Sequence, residues 1–297
     1  MKNNIKYKLL LVACIVLSLT TANAQQVNTM YFMDNVPFRN QLNPAFQPYS
    51  NFYLGFPVMG FTQFGIGNNS LTMKDYAYKQ NGQLISFLHP NGSVENFYNA
   101  LKKNSLIQGN MQLNLLSFGF RTGRSYWNFT INERVNAKFN VPRDLMKLML
   151  YGTPDKTNNA YNFSTLGFDM SAYTEAGLGY SINLTDKLSL GAKFKFLYGT
   201  ANISSANNDL TLNAGINEWV LKGKGSINVS TPLNMDLSDL SNINPTLPSF
   251  PPSTSEILDM IKPSGLGGAV DLGATYRLTD ELALSAAVVD LGMIRME

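Results

Sequence analysis

Residues 166–184 and 187–203 alternate apolar and polar side chains on either side of a short link, Thr185-Asp186. A period of two predicts strands, and two long strands about a short polar link predict a hairpin. The expected fold class is all-β: a transmembrane antiparallel up-and-down β-barrel. Strand length is the first observation behind it. Soluble strands average about 5–6 residues, and a strand crossing a bilayer needs roughly 9–11. The second is how the faces are filled. Ala176, Leu178, Tyr180, Ile182 and Leu184 share one face, followed after the link by Leu188, Leu190, Ala192, Phe194, Phe196 and Tyr198. Glu175, Gly177, Gly179, Ser181 and Asn183, then Ser189, Gly191, Lys193 and Lys195, take the other. The third is composition. Charged residues are 14% of the chain, against about 25% in soluble domains. Beyond the first 24 residues, nothing approaches the ~20-residue apolar run of a membrane helix, so a closed barrel is the remaining way to span a bilayer.

Residues 1–24 have the form of a secretory signal: Lys2, Lys6 and Lys8, an apolar core from Leu9 to Leu19, and Ala22-Asn23-Ala24 as the cleavage site. Leu11-Val12-Ala13-Cys14 resembles a lipoprotein cleavage box. Cutting there leaves few apolar residues before the cysteine and an apolar run after it, which makes a poor signal. Without the signal's three lysines, the 23 basic residues become 20, against 20 acidic ones. A near-neutral chain argues against nucleic acid as a partner. The single cysteine lies in the signal, so the mature chain has no disulfide.

Residues 25–50 hold Pro37, Pro44 and Pro48 and read as an extended segment ahead of the first strand. Spanning strands are expected at 52–66, 106–121, 126–139, 166–184, 187–203, 267–278 and 281–294. Residues 106–121 shift phase from Met111, Leu113, Leu115 to Leu116, Phe118, Phe120, which predicts a bulge near Leu115. In 126–139, Glu133 is the misfit on an apolar face. Short helices are expected at Ser93–Lys103, Arg143–Leu150 and Ser253–Lys262; Ile257, Leu258 and Ile261 form an apolar stripe on the last. A small hairpin is expected within 209–229, turning near Gly215-Ile216-Asn217. The stretch Leu184-Thr185-Asp186-Lys187-Leu188 is echoed at Leu278-Thr279-Asp280-Glu281-Leu282.

Bacterial outer-membrane barrels have short periplasmic turns and long extracellular loops. Tight turns near 122–124, 185–186 and 279–280 alternate with insertions 67–105, 140–165 and 204–265. This parity puts the amino terminus in the periplasm and makes 51–297 the barrel region. Such barrels have even strand numbers. Seven expected strands therefore imply the amino-terminal part of a larger barrel.

The triplet Asn43-Pro44-Ala45, in an extended segment shortly before the first long strand, resembles a feature of barrels related to the long-chain fatty-acid transporter FadL. The segment 31–46, YFMDNVPFRNQLNPAF, is similar to a Bacteroidota outer-membrane family of unknown function in that superfamily, which also includes type IX secretion components. The resemblance implies a fourteen-stranded barrel plugged by an amino-terminal hatch, with residues 25–50 as the hatch and Asn43, Pro44 and Ala45 as its motif.

No constellation for covalent chemistry emerges, and no cofactor is expected. His89, the one histidine, sits in the turn signal His89-Pro90-Asn91-Gly92. A zinc site of ordinary type lacks ligands, and His89 is the sole base for a serine nucleophile. Gly65-Ile66-Gly67 and Gly177-Leu178-Gly179 lack the third glycine of a phosphate loop. Asn-x-Ser/Thr matches such as Asn128 and Asn183 fall on expected strands, which makes them poor glycosylation sites. The candidate lumen-facing charges are Glu175, Lys193, Lys195, Asp271 and Arg277, either paired across strands or lining a ligand path. The expected partners are outer-membrane lipid, a hydrophobic small-molecule ligand, and a protein bound through 204–265. Two functions follow: passage of a hydrophobic or small solute, or a structural or secretion-associated barrel that binds partners through its loops. An apolar cavity beside residues 25–50 favours the first, and a polar, packed lumen the second.

Overall fold

The computed structural model describes residues 28–57, 60–153, 159–215, 218–231 and 263–296. The signal-like residues and the helix expected at Ser253–Lys262, with Ile257, Leu258 and Ile261, lie outside the described residues. The chain is mostly antiparallel β. Twelve strands are described: β1 (Phe52–Gly55), β2 (Thr62–Asn68), β3 (Ala77–Gln80), β4 (Gln83–Ser86), β5 (Asn104–Thr122), β6 (Ser125–Pro142), β7 (Asn159–Asn162), β8 (Gly167–Asn183), β9 (Leu188–Ala214), β10 (Trp219–Ser230), β11 (Gly265–Arg277) and β12 (Ala283–Met296). Four short α-helices accompany them: α1 (Asn28–Tyr31), α2 (Met73–Tyr76), α3 (Val94–Ala100) and α4 (Arg143–Tyr151); a 3-10 helix spans Pro37–Gln41, so the segment expected to be extended is partly helical.

One meandering sheet runs β1-β5-β6-β8-β9-β11-β12. Its lanes match the seven expected strands, with three differences. The first expected strand is broken: β1 pairs with Ser117–Phe120 and β2 with Ile107–Leu113, and between them the chain leaves the ladder. The strand expected at 187–203 continues to Ala214, so β9 has 27 residues. Its upper half pairs with β10 as the expected small hairpin. The third difference is closure. No described strand joins β12 to β1 or β2, so the sheet is open.

The bulge expected near Leu115 is present; pairing steps from Asn114↔Asn132 to Leu116↔Ile131. The β5–β6 link is Gly123-Arg124, and Gly123 takes φ 61°, which a side chain would disfavour. The two echoed links are longer than the Thr-Asp pair suggested. In each, the threonine hydroxyl caps the turn: Thr185 Oγ1 accepts from the Leu188 amide and Thr279 Oγ1 from the Leu282 amide, both at 3.0 Å. The same local chemistry explains the repeated Thr-Asp.

The two faces of the sheet are inverted relative to a soluble protein. One rung of the outer face crosses all seven lanes: Leu54, Phe118, Phe129, Leu178, Phe194, Val270 and Leu291. Phe194 is 66% exposed and Leu291 63%. On the inner face Asn114, Ser117, Thr130, Asn132, Lys193 and Asp271 are buried. Glu133, the sequence misfit, does lie on the outer face, where its Oε2 accepts a 2.7 Å hydrogen bond from the Thr174 hydroxyl of β8.

At the β2–β5 end, α3 is capped by Ser93, whose hydroxyl accepts from the Asn96 amide at 3.1 Å, and it ends at Ala100, short of the expected Lys103. Phe97 buries its ring against Phe87, with centroids 3.8 Å apart. Near the β9–β10 hairpin, α4 packs Leu145 and Leu148 on Tyr161, Phe163, Leu212 and Ala214. No described helix is long and apolar enough to cross a membrane, which has no bearing on strands.

Candidate functional site

The inner face and residues 28–50 make one site. Its floor is the rung Tyr53–Gly119–Asn128–Gly179–Lys193–Asp271. Glycines stand beside the long polar side chains because both cannot fit. A Cβ at Gly179 would lie 2.5 Å from the Asn128 amide, and one at Gly177 2.8 Å from Thr130 Oγ1.

Four of the five charges expected to face inward come together. Glu175, Lys193, Lys195 and Asp271 are all buried on this face. Arg277 does not join them. It is exposed at the end of β11, and its amide donates to the Lys187 carbonyl at the turn, 2.8 Å away. Two further residues complete the cluster, Arg134 on β6 and Asp290 on β12. Arg134 Nε lies 2.9 Å from Glu175 Oε2, and Arg134 Nη1 lies 3.5 Å from Asp290 Oδ2. Lys195 Nζ is 2.7 Å from Asp271 Oδ2, 2.5 Å from Asp290 Oδ1 and 3.8 Å from Glu175 Oε2. Asn132 donates to Glu175 Oε1 at 3.2 Å and accepts from Asn114, which in turn accepts from Ser117. Three cations thus face three anions. Removing one partner of such a pair leaves a buried charge uncompensated, at a cost of about 3–5 kcal/mol.

Arg134 was readable as inward from its parity with Asn132. Asp290 was not. The β11–β12 pairing slips between Val270 and Leu272, and Asp290 takes φ 58°. The bulge sets Val289 and Asp290 against Asp271, and the Asp290 amide donates to Asp271 Oδ1 at 2.7 Å. A bulge re-aims a side chain, so a carboxylate that simple alternation leaves unplaced reaches Lys195 and Arg134.

The amino-terminal segment is seated on this wall. Asn40, Asn43, Pro44 and Ala45 are buried. The Asn43 amide donates to the carbonyls of Ala274 and Ala286, facing residues of β11 and β12, at 3.3 Å each. Its Oδ1 accepts from the Ala45 amide at 2.9 Å, which folds the triplet into an Asx turn. The seat is two facing glycines, Gly191 on β9 and Gly273 on β11. A Cβ at Gly191 would strike the Pro44 carbonyl, and one at Gly273 would strike Asn43 Oδ1. Lys193 Nζ donates to Asn40 Oδ1 at 3.2 Å. Gln47 joins Arg121, the Arg124 carbonyl and Asn183 at 2.8, 3.1 and 3.3 Å. At the far edge the Tyr31 and Ser285 hydroxyls meet. The expected motif residues Asn43 and Pro44 therefore meet the wall through the Asn43 carboxamide, the Pro44 backbone and the Pro44 ring.

His89 accepts from the Asn91 amide in its own turn, at 3.1 Å. Among the described residues, no group of three or more His, Cys, Asp or Glu could hold a metal ion. Outside the long strands, the α2 turn carries a capping box: the Thr72 amide donates to Asp75 Oδ2 at 2.6 Å and holds that carboxyl below the usual carboxylate range.

No curated protein and no solved structure matches the chain. Residues 44–297, from the second residue of the triplet through the whole sheet, match the model of a family of unknown function, DUF5723, and the chain belongs to that family.

Proposed function

We propose that the chain forms the wall of an outer-membrane β-barrel, with its apolar face to lipid and residues 28–50 as a plug on the inner face. The observation that carries this reading is the inversion of the sheet. Large apolar side chains stand exposed on one face while Glu175, Lys193, Lys195 and Asp271 are buried on the other. In water the exposed rungs are a liability; in a bilayer they are the favoured surface. The signal-like residues 1–24 support export, and tight turns opposite long excursions support a periplasmic amino terminus. Unpaired strand edges are not tolerated in lipid. Further strands closing the wall therefore belong to this reading.

Between the two roles, a structural or partner-binding barrel is the better supported. The wall beside Asn40–Ala45 is polar and closely packed, which does not suit a hydrophobic solute. The β9–β10 hairpin rises beyond the β8–β11 wall, and residues 204–265 remain the expected partner-binding excursion. Solute passage of the FadL-like kind is the second reading, favoured by the hatch-like seat of Asn43-Pro44-Ala45. Membranes washed in sodium carbonate should retain the full chain, and unheated samples should migrate as a folded species in gels. Release by carbonate would refute the membrane assignment. Deleting 232–263 should abolish capture of partner proteins, whereas solute uptake gained on deleting 28–50 would favour passage.

A further inference from the structure

The outer face is not evenly clothed. Small residues interrupt its rungs at several points, among them Ala176 and Gly268 on either side of Phe196 and, on β5 and β6, Gly109 beside Ala137. The rung Ile66–Gly109–Ala137 lies next to Phe64–Met111–Val135, and together they line a recess of about 410 Å³. Ligand pockets span about 300–1,000 Å³. Phe64 and Ile66 stand 73% and 83% exposed along one side, and Met170 pairs with Ala137 on the other. Ile107 and Phe139 form the rung beyond. Asn110 is the one polar residue at the recess, and no charged residue lines it.

Nothing in the backbone requires a glycine here. Gly109 is not among the residues with positive φ, and an added Cβ would meet only the Gly65 carbonyl, at 3.8 Å. Gly191 and Gly273 differ, since each has Asn43 or Pro44 against it. A glycine inside a strand gives up packing and chain entropy, and Gly109 leaves open volume beside Ile66 and Ala137.

We propose that this recess holds one acyl chain of a membrane phospholipid, as an ordered lipid site on the barrel wall. The proposal rests on the lipid-facing reading of the outer face, because the recess is continuous with that surface and opens onto it. Its apolar lining selects a hydrocarbon chain.

The test uses the full chain extracted in mild detergent and supplied with phosphatidylethanolamine, with retained lipid read by native mass spectrometry. Wild type should keep a bound phospholipid through delipidation. Gly109→Leu and Ala137→Leu, which fill the recess, should lose it. Gly268→Leu is the control: it lies on the outer face away from the recess, and a Cβ there meets only the Lys195 carbonyl at 3.6 Å. It should retain lipid. Folding of each variant is checked by heat-dependent gel mobility. Equal retention in Gly109→Leu and wild type overturns the proposal, as does retention of free fatty acid but no phospholipid. Loss of a dimer with no lipid involved would instead assign the recess to a second copy. Carbonate release of wild type would overturn the lipid-facing reading itself, a result distinct from all of these.

Discussion

Gly273→Val tests the seat of the amino-terminal segment most directly. The added Cβ falls on Asn43 Oδ1, and Pro44 Cδ lies 2.9 Å away. Neither neighbour is the free end of a flexible chain; Asn43 is tethered through Ala274, Ala286 and Ala45. Overpacking costs about 1–3 kcal/mol, and each lost neutral hydrogen bond about 0.5–1.5 kcal/mol. If the clash breaks both donations from Asn43, displacement of the segment becomes easier by roughly 3 kcal/mol, about a hundredfold in population. The assay is trypsin cleavage after Arg39, whose side chain is only 12% exposed in the seated state. When opening is fast relative to cleavage, the rate follows the open population, so cleavage there should rise by about two orders of magnitude. Gly268→Val on the same strand, with its nearest neighbour at 3.6 Å, should leave the rate unchanged. A wild-type cleavage rate in folded Gly273→Val would refute the two-glycine seat.

Phe194→Lys places a cation on the outer face and should cost about 2–4 kcal/mol in urea unfolding from phospholipid vesicles; a change within about 0.5 kcal/mol, as on a soluble surface, would count against lipid contact. Arg134→Met and Glu175→Met should each destabilise by about 3–5 kcal/mol, and the double variant by clearly less than their sum, because the two are paired at 2.9 Å; additivity in the same unfolding assay would show them uncoupled. The Asp75 cap makes a pH prediction. The folded carboxyl binds its proton more weakly than the unfolded one, so the cap is intact above about pH 4 and is lost as pH falls through the lower folded pKa. The Thr72 amide resonance should follow that transition, and Asp75→Asn should remove it; an unchanged transition in the variant would exclude Asp75 as the cause.

Much of the wall was legible because a period of two is a strong signal when both faces are demanding. Leu178, Phe194 and Leu272 had to share a face, and Glu175, Lys193 and Asp271 had to share the other. The bulge at Leu115 was legible for the same reason: a phase slip in an otherwise strict alternation has no cheaper explanation. The break between β1 and β2 was hidden because Phe52, Leu54, Phe64 and Ile66 keep phase across the gap. Two strand pieces on one partner preserve the pattern that one continuous strand would show. Arg277 has the right parity and the wrong height. Alternation assigns a face but carries no information about distance from the rim.

What stayed hidden depends on contacts between residues far apart in the chain. Asn43-Pro44-Ala45 stood out as a motif, yet its partners, Gly191 and Gly273, looked like small residues on a wet face. Their role exists only where two strands bring them side by side beneath a proline. Asp290 is the sharper case. On β12 the residues before and after the bulge keep different parities, and Asp290 occupies the position where they change. Glycine is the usual residue at φ near 58°, and aspartate is among the side chains that tolerate it best. The Asp290 side chain stays 50% exposed while that of Lys195 beside it is 3% exposed, so Asp290 closes the cluster from its open side. A bulge on the last lane thus brings a third carboxylate within reach of Lys195 and Arg134, a placement that alternation alone has no means to signal.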